Sequence, residues 1–328
     1  MKKLILLIVL LNTGLLFSQK VENVTFTQRT DGSLKVDINY DLTASEPAVI
    51  TVKASADGGA TWNLPITSLE GDFGSGVAEG TGKAIVWDFH ADNPDQSGAD
   101  YRVKVTPAIR GTMTGNDGTV YQTIKIGNQW WMAENLRETQ YRTGEGEEKN
   151  IPVVTDNTGW AGLTSGARCA YNNNETTANT YGYLYNWYAV SDARNIAPDG
   201  WCVPTDEDWD ILVDYLIDNG YNWDGSTTGN LIGKAMASSG GGWTSSSSAG
   251  QVGNDQSSNN ASGFSALPAG FRSSSGPFLN LGHHAFFWSA TEHDANRAWR
   301  RTLGYDRSDV ARSHLSKQIG FSVRLVRD

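Results

Sequence analysis

The chain has 328 residues, of which 36 are Asp or Glu and 26 are Lys or Arg, so its formal net charge is −10 at pH 7. A protein this acidic repels nucleic-acid phosphates, which excludes a general affinity for nucleic acid. The 12 Trp, 12 Tyr and 10 Phe supply large apolar surfaces and exclude disorder, while 36 glycines and only 19% charged residues fit a loop-rich, mostly β extracellular fold better than a helical bundle.

The opening MKKLILLIVLLNTGLLFSQK has two lysines, an apolar run from Leu4 to Leu11 and small or polar residues ahead of Gln19. That is the layout of a secretory signal peptide over residues 1–18. No later segment is apolar for the ~18 residues that a membrane helix needs. With no cysteine near the cleavage region, a bacterial lipid anchor is also excluded. The mature chain is expected to start near Gln19 and to be secreted, periplasmic or at the cell surface. The remaining residues, about 310, exceed what one core usually organises, so two domains are expected.

From 19 to 108 the pattern is one of short alternating runs: VENVTFTQ, SLKVDINYDL, AVITVKAS, KAIVWDF and YRVKVTP, separated by the turn signals DGS, DGG and DNPDQSG. Alternation marks strands buried on one face, because successive side chains point to opposite sides of a sheet. With no convincing helix between them, these strands predict an all-β sandwich of immunoglobulin or fibronectin type. The stretch SADGGATW, Ser55 to Trp62, resembles the Asp-box of sialidases and other propellers. Only one copy is present where a propeller repeats its blade, so it is read as a structural hairpin turn with Trp62 packed beneath it.

Residues 109–115 are expected to link this sandwich to a second domain over 116–328. There the strands are sparser, and ten of the twelve tryptophans concentrate among Gly-, Ser- and Asn-rich loops. PTDEDWDILVDYLIDNGY predicts a helix. Trp209, Leu212, Val213 and Leu216 share one face, Thr205 caps the start, Asp206, Glu207 and Asp208 sit at the positive end of the dipole, and Gly220 is the stop. From Gly225 to Gly263 a short helix around Leu231 to Ala237 interrupts what otherwise reads as a long surface loop.

The segments GTVYQTIKIGNQWWMAENLR, RCAYNNNETTANTYGYLYNWYAV, APDGWCVPTDEDW, GFSALPAGFR and the run from FFWSATEHDANRAWRRTLGYDR to the C-terminus occur in the order that resembles the Fibrobacter succinogenes major paralogous domain, from Asn116 to Asp328. That family looks like a branch of the C-type lectin-like fold related to the formylglycine-generating, sulfatase-modifying type. The resemblance therefore implies an α+β domain with a small twisted sheet, one or two helices and long loops, but no particular chemistry.

The formylglycine-generating relatives use copper held by paired cysteines near the C-terminal end of the domain. Here Cys169 and Cys202 lie in its first half and none follows Phe264, which argues against that reaction. Calcium-dependent lectins of the fold use E-P-N or Q-P-D with W-N-D, and neither triplet occurs. GNDGT at 115–119 and NNNE at 172–175 offer oxygen ligands for calcium, but such clusters are more often turns. His283, His284, His293 and His314 match no zinc spacing and read as surface residues. No phosphate loop, nucleophile elbow or HExxH occurs, so no catalytic residue, cofactor or metal is assigned.

The reading that remains is a non-catalytic protein recognising an extracellular glycan or a partner protein, with an enzyme of formylglycine-generating ancestry or a structural surface protein as alternatives. Trp131, Trp187, Trp201, Trp209 and Trp288 are expected in the core. Trp130 and Trp160 join the candidates for exposure, while Trp223 and Trp243, beside the Gly/Ser loops, with Arg272 and Arg300, are the candidate ligand contacts. Family members usually carry histidine where Cys202 stands. In an exported chain with two cysteines, Cys202 is either disulfide-bonded to Cys169 or simply packed.

Overall fold

The structure, a computed structural model, describes residues 19–59, 62, 64–98 and 100–328, so the leader expected at 1–18 and two residues of the SADGGATW turn lie outside the described residues. In chain order the first unit comprises β1 (Lys20–Gln28), β2 (Lys35–Thr43), β3 (Ala48–Ser55), β4 (Leu69–Gly71), β5 (Gly74–Val77), β6 (Gly80–Asp88), a single-turn α1 (Phe89–Asp92) and β7 (Arg102–Thr114). β1, β2, β6 and β4 form one sheet in that order, while β5, β3 and β7 are neighbours in another. In β2 the alternation buries Val36, Ile38, Tyr40 and Leu42 and leaves Asp37, Asn39 and Asp41 outside. Those four pack with Ile85 and Trp87 against Ile50, Ala54, Val77 and Val105 of the other sheet, which makes the unit a two-layer β-sandwich.

The expected linker is a strand. β7 is 13 residues long without interruption. Its first half pairs with β3 from Ser55↔Arg102 to Val49↔Ala108. Its second half, Ile109 to Thr114, pairs with β8 (Val120–Ile126). After β8 come β9 (Gln129–Met132), α2 (Asn157–Ala161), β10 (Arg168–Cys169), α3 (Glu175–Tyr181), β11 (Leu184–Tyr185), α4 (Trp187–Val190), α5 (Asp206–Asp218), α6 (Gly233–Met236), β12 (Ala269–Arg272), β13 (Phe278–Leu281), β14 (His284–Asp294), β15 (Arg297–Gly304), β16 (Ala311–Ser316) and β17 (Val326–Arg327). One six-stranded sheet, β17-β9-β8-β7-β3-β5, therefore runs from the last strand of the chain into the sandwich.

The helix expected after Pro204 is α5. Thr205 accepts from the Asp208 backbone N–H, and the Asp208 carboxylate accepts from that of Thr205, a reciprocal capping box. Trp209, Leu212 and Leu216 are buried, and Gly220 at φ +72° ends the helical path. Trp131, Trp187, Trp201, Trp209 and Trp288 are all buried as expected, and Trp160 is buried with them. The stretch 225–263 is not simply a surface loop: Ile232, Met236, Trp243 and Val252 enter the same core as Trp209 and Phe264.

Buried guanidinium groups tie the irregular segments down. Arg324, wholly buried, donates to Asn135 Oδ1 and to the carbonyls of Met132, Phe264 and Ser265 at 2.7–2.9 Å. Arg301 joins β15 to α5: its guanidinium contacts the Asp206 carboxylate, and it donates at 2.6 Å to Asp210. Exposed Arg312 donates to Asp206 as well. Among the described residues no helix is long and apolar enough to cross a membrane.

Removing one partner of a buried ion pair leaves the other uncompensated, which costs about 3–5 kcal/mol. Asp206→Ala is expected near about 3 kcal/mol, because Asp210 still faces Arg301. Arg312→Ala, which removes an exposed ion-pair partner, is expected to cost under about 1 kcal/mol. Urea midpoints at neutral pH measure both, and equal costs would refute a buried anchor at Arg301.

Candidate functional site

Where the sandwich meets the second unit, a cleft of about 660 Å³ opens. On the sandwich side it is lined by Gly59 and Trp62 of the SADGGATW turn and by Lys104 to Pro107 of β7. On the other side stand Tyr215, Asn219 and Tyr221 at the end of α5, then Trp223, Lys234 of α6, and Asn254 and Asp255 of the following loop. A smaller cavity of about 70 Å³ continues from it along Thr51, Lys53 and Arg110, sharing Trp62 and Lys104 with the first.

The seam beside the cleft is held by bonds between the units. Lys53 Nζ donates to the Ser257 carbonyl at 2.8 Å. Gln19 donates to the Lys125 carbonyl at 2.8 Å and accepts from the Ile109 N–H at 2.9 Å. Lys125 lies 3.7 Å from Glu46. The turn at 55–59 is fixed by Ser55 Oγ, which accepts from the Gly59 N–H at 2.9 Å, and a side chain at Gly59 would meet the Trp62 ring. Trp223 is 45% exposed, and its indole lies so close to Gly250 that any Cβ there would collide with the ring.

Lys53 and Lys104 are cross-strand partners on the outer face of β3 and β7. Partial desolvation by the surrounding protein lowers the pKa of both, and for Lys53 the neighbouring Lys104 charge adds to it. Lys234 contacts the Asn254 carbonyl and donates to that of Asp255 at 3.0 Å, yet burial still brings it down to about 8. Opposed like charges destabilise a sheet, so this wall is built at some cost to stability.

Of the candidate contacts, only Trp223 lines the cleft. Trp243 is 5% exposed and its indole N–H donates to Ser238 Oγ at 3.1 Å, which corrects its expected exposure. Arg272 is also a correction. It is fully buried over the Trp160 ring and donates to the carbonyls of Gly276, Val154, Thr155 and Asp156, holding loops rather than facing a ligand. Arg300 lines neither cavity. It lies half-buried over Phe286 at 5.1 Å and Phe321 at 5.7 Å, and burial lowers it to about 10. Half-buried Trp130 lies outside the cleft lining, with Arg327 5.5 Å from its ring centre.

Cys169 and Cys202 are both free, which corrects the expected pairing, and of the two only Cys169 is packed inside. Cys169 is buried in β10, whereas Cys202 is exposed and bridges to Val326 through the backbone. Burial pushes the first thiol up to about 12; partial desolvation, with the nearby Asp208 and Asp328 charges, pushes the second to about 11.

Among the described residues no group of three or more His, Cys, Asp or Glu side chains is gathered to hold a metal. The GNDGT segment is a turn folded around a carboxylate. Glu138, with no exposed surface, accepts from the N–H groups of Asn116, Asp117, Thr139 and Gln140 at 2.6–3.3 Å. Asp117 in turn accepts from Thr119 and Thr139. In NNNE, Asn172 and Asn173 adopt positive φ and Asn174 caps α3. His293 and His314 stack at 3.7 Å beside Trp299.

The family model of the Fibrobacter succinogenes major domain matches residues 124–327. The chain belongs to that family. No curated protein and no solved structure matches this chain. The matched region begins within β8, so the Fibrobacter succinogenes major domain supplies only one wall of the cleft, and Trp62 and Lys104 come from outside it.

Two outcomes follow from these carboxyl and thiol environments. Burial and the Asp117 charge raise Glu138 to about 7, against the pull of the Asn116 and Gln140 N–H groups. Between the unfolded value of 4.5 and about 7 the folded chain keeps a proton that the unfolded chain has released. Stability therefore falls as pH rises through that window, by up to about 1.4 kcal/mol per pH unit. The difference between wild type and Glu138→Gln in urea titrations across the window measures this contribution; a pH-independent difference would contradict it. With both thiols free, a thiol reagent is expected to modify Cys202 in the native protein and both cysteines after unfolding. No reaction without reductant in either state would restore the disulfide.

Proposed function

We propose that this protein is an exported, non-catalytic binding protein that takes a segment of extracellular polysaccharide into the cleft between its sandwich and its family domain. The observation that carries this reading is the presence of Trp62 and Trp223, one from each unit, on the walls of one cavity with Asn219, Asn254 and Lys104. Aromatic faces take the C–H face of a sugar ring, and amides and ammonium groups take its hydroxyls, which is what such a site must offer. A volume of about 660 Å³ suits a few sugar units better than the broad surface of a protein partner.

Export is supported by the signal-peptide pattern at 1–18, and the C-type lectin-like relation by the short sheets, single long helix and long loops of the second unit. In this reading the lectin-like unit does not bind alone. The alternative enzyme of formylglycine-generating ancestry requires reactive cysteines, whereas burial raises both thiols here, the opposite of activation.

A glycan array probed with the full chain, with and without a chelator, tests the proposal. Binding is expected to persist under chelation. Trp223→Ala and Trp62→Ala are each expected to weaken it by about tenfold, the usual loss when an aromatic anchor is truncated. Binding that neither substitution touches would place the site elsewhere.

A further inference from the structure

We infer that the ligand of the cleft is an acidic polysaccharide, with its anionic groups against Lys104 and Arg110 and its ring faces on Trp62 and Trp223. This rests on the cleft being the binding site proposed above. The charged side chains lining the two joined cavities are Lys20, Lys53, Lys104, Arg110 and Lys234 against a single Asp255. The chain as a whole carries −10, so this concentration of positive charge runs against the composition. A concave wall of one sign raises the local concentration of oppositely charged ligand.

Within this cluster the roles divide. Lys20 pairs with Glu22 at 2.6 Å, while Lys53 and Lys234 donate to backbone carbonyls of the facing loop. Lys104 and Arg110 are exposed and make no hydrogen bond or ion pair among the described residues; Lys104 has only the Trp62 ring, 5.9 Å away. The free cation therefore stands beside the aromatic platform, where a charged group carried on a sugar ring would meet both. Partial desolvation by the cleft walls already lowers Lys53, Lys104 and Lys234, so a bound anion would relieve an unfavourable environment. The two cavities share Trp62, Lys104, Thr106 and Pro107, which gives an extended trough rather than a pit for one small anion.

The test is a titration of the full chain with an oligogalacturonate, a sulfated oligosaccharide, a neutral cello-oligosaccharide and single-stranded DNA. The acidic glycans are expected to bind best, with affinity falling roughly tenfold as salt rises from about 0.05 to about 0.5 M. The two acidic probes show whether carboxylate or sulfate is preferred. Lys104→Gln with Arg110→Gln is expected to remove roughly tenfold of that affinity and flatten the salt dependence, without lowering the thermal midpoint, since both side chains are exposed and Lys104 opposes the like charge of Lys53. Salt-independent binding of the neutral glycan alone would overturn the acidic assignment and leave the cleft as a glycan site. Binding of no glycan would overturn both readings, and DNA binding as tight as the acidic glycans would refute a sugar-directed site.

Discussion

The continuity of β7 is the constraint on which the rest of the molecule depends. Its first half is hydrogen-bonded to β3 of the sandwich and its second half to β8 of the family domain. A flexible linker would let the two units reorient, as separate domains do by default. A single strand with both halves in ladders cannot bend at the seam without breaking sheet bonds. The cleft beside it, with Trp62 and Trp223 on its walls, follows from that rigidity.

On the far side of the seam, sheets are small and loops are long, so backbone polar groups must find partners elsewhere. Arg324, Arg272 and Arg301 meet that need from inside the core. A guanidinium carries five donors in a rigid plane, and Arg272 and Arg324 each satisfy several carbonyls from separate loops. Arg272 thus has the chemistry of a binding residue and the position of a structural one.

What the residues alone made legible was the local order. The alternation of β2, the cap and apolar face of α5 and the burial of five tryptophans each depend on a few neighbouring residues, and each is present. The misses depend on distant pairing. Residues 109–114 look like a linker because Gly111 and the GNDG turn that follows break the apolar alternation, and only the β8 ladder shows the strand they form. Trp243 sits among glycines and serines, yet Ser238, Gln256 and the Val252 core hold it inside. Trp62 reads as part of a turn, and nothing local reveals that it lines a cleft against a second domain. One signal was within reach: AVITVKAS and YRVKVTP each place a lysine on the polar face of a strand, and antiparallel pairing of the two would have set them side by side.

That lysine pair also bears on why the cleft exists at all. Cross-strand positions on an outer face tolerate many residues, and like charges are among the worst choices. The fold compounds the choice by bringing Lys234 to the facing wall of the same cleft from the other unit. Carbonyls of 254, 255 and 257 take up two of the three ammonium groups, which makes the cluster tolerable without neutralising it. The third, Lys104, is left beside an indole with no hydrogen bond or ion pair among the described residues. Structural needs account for two of these lysines and leave the third unexplained, and an anion held against Trp62 would complete the arrangement.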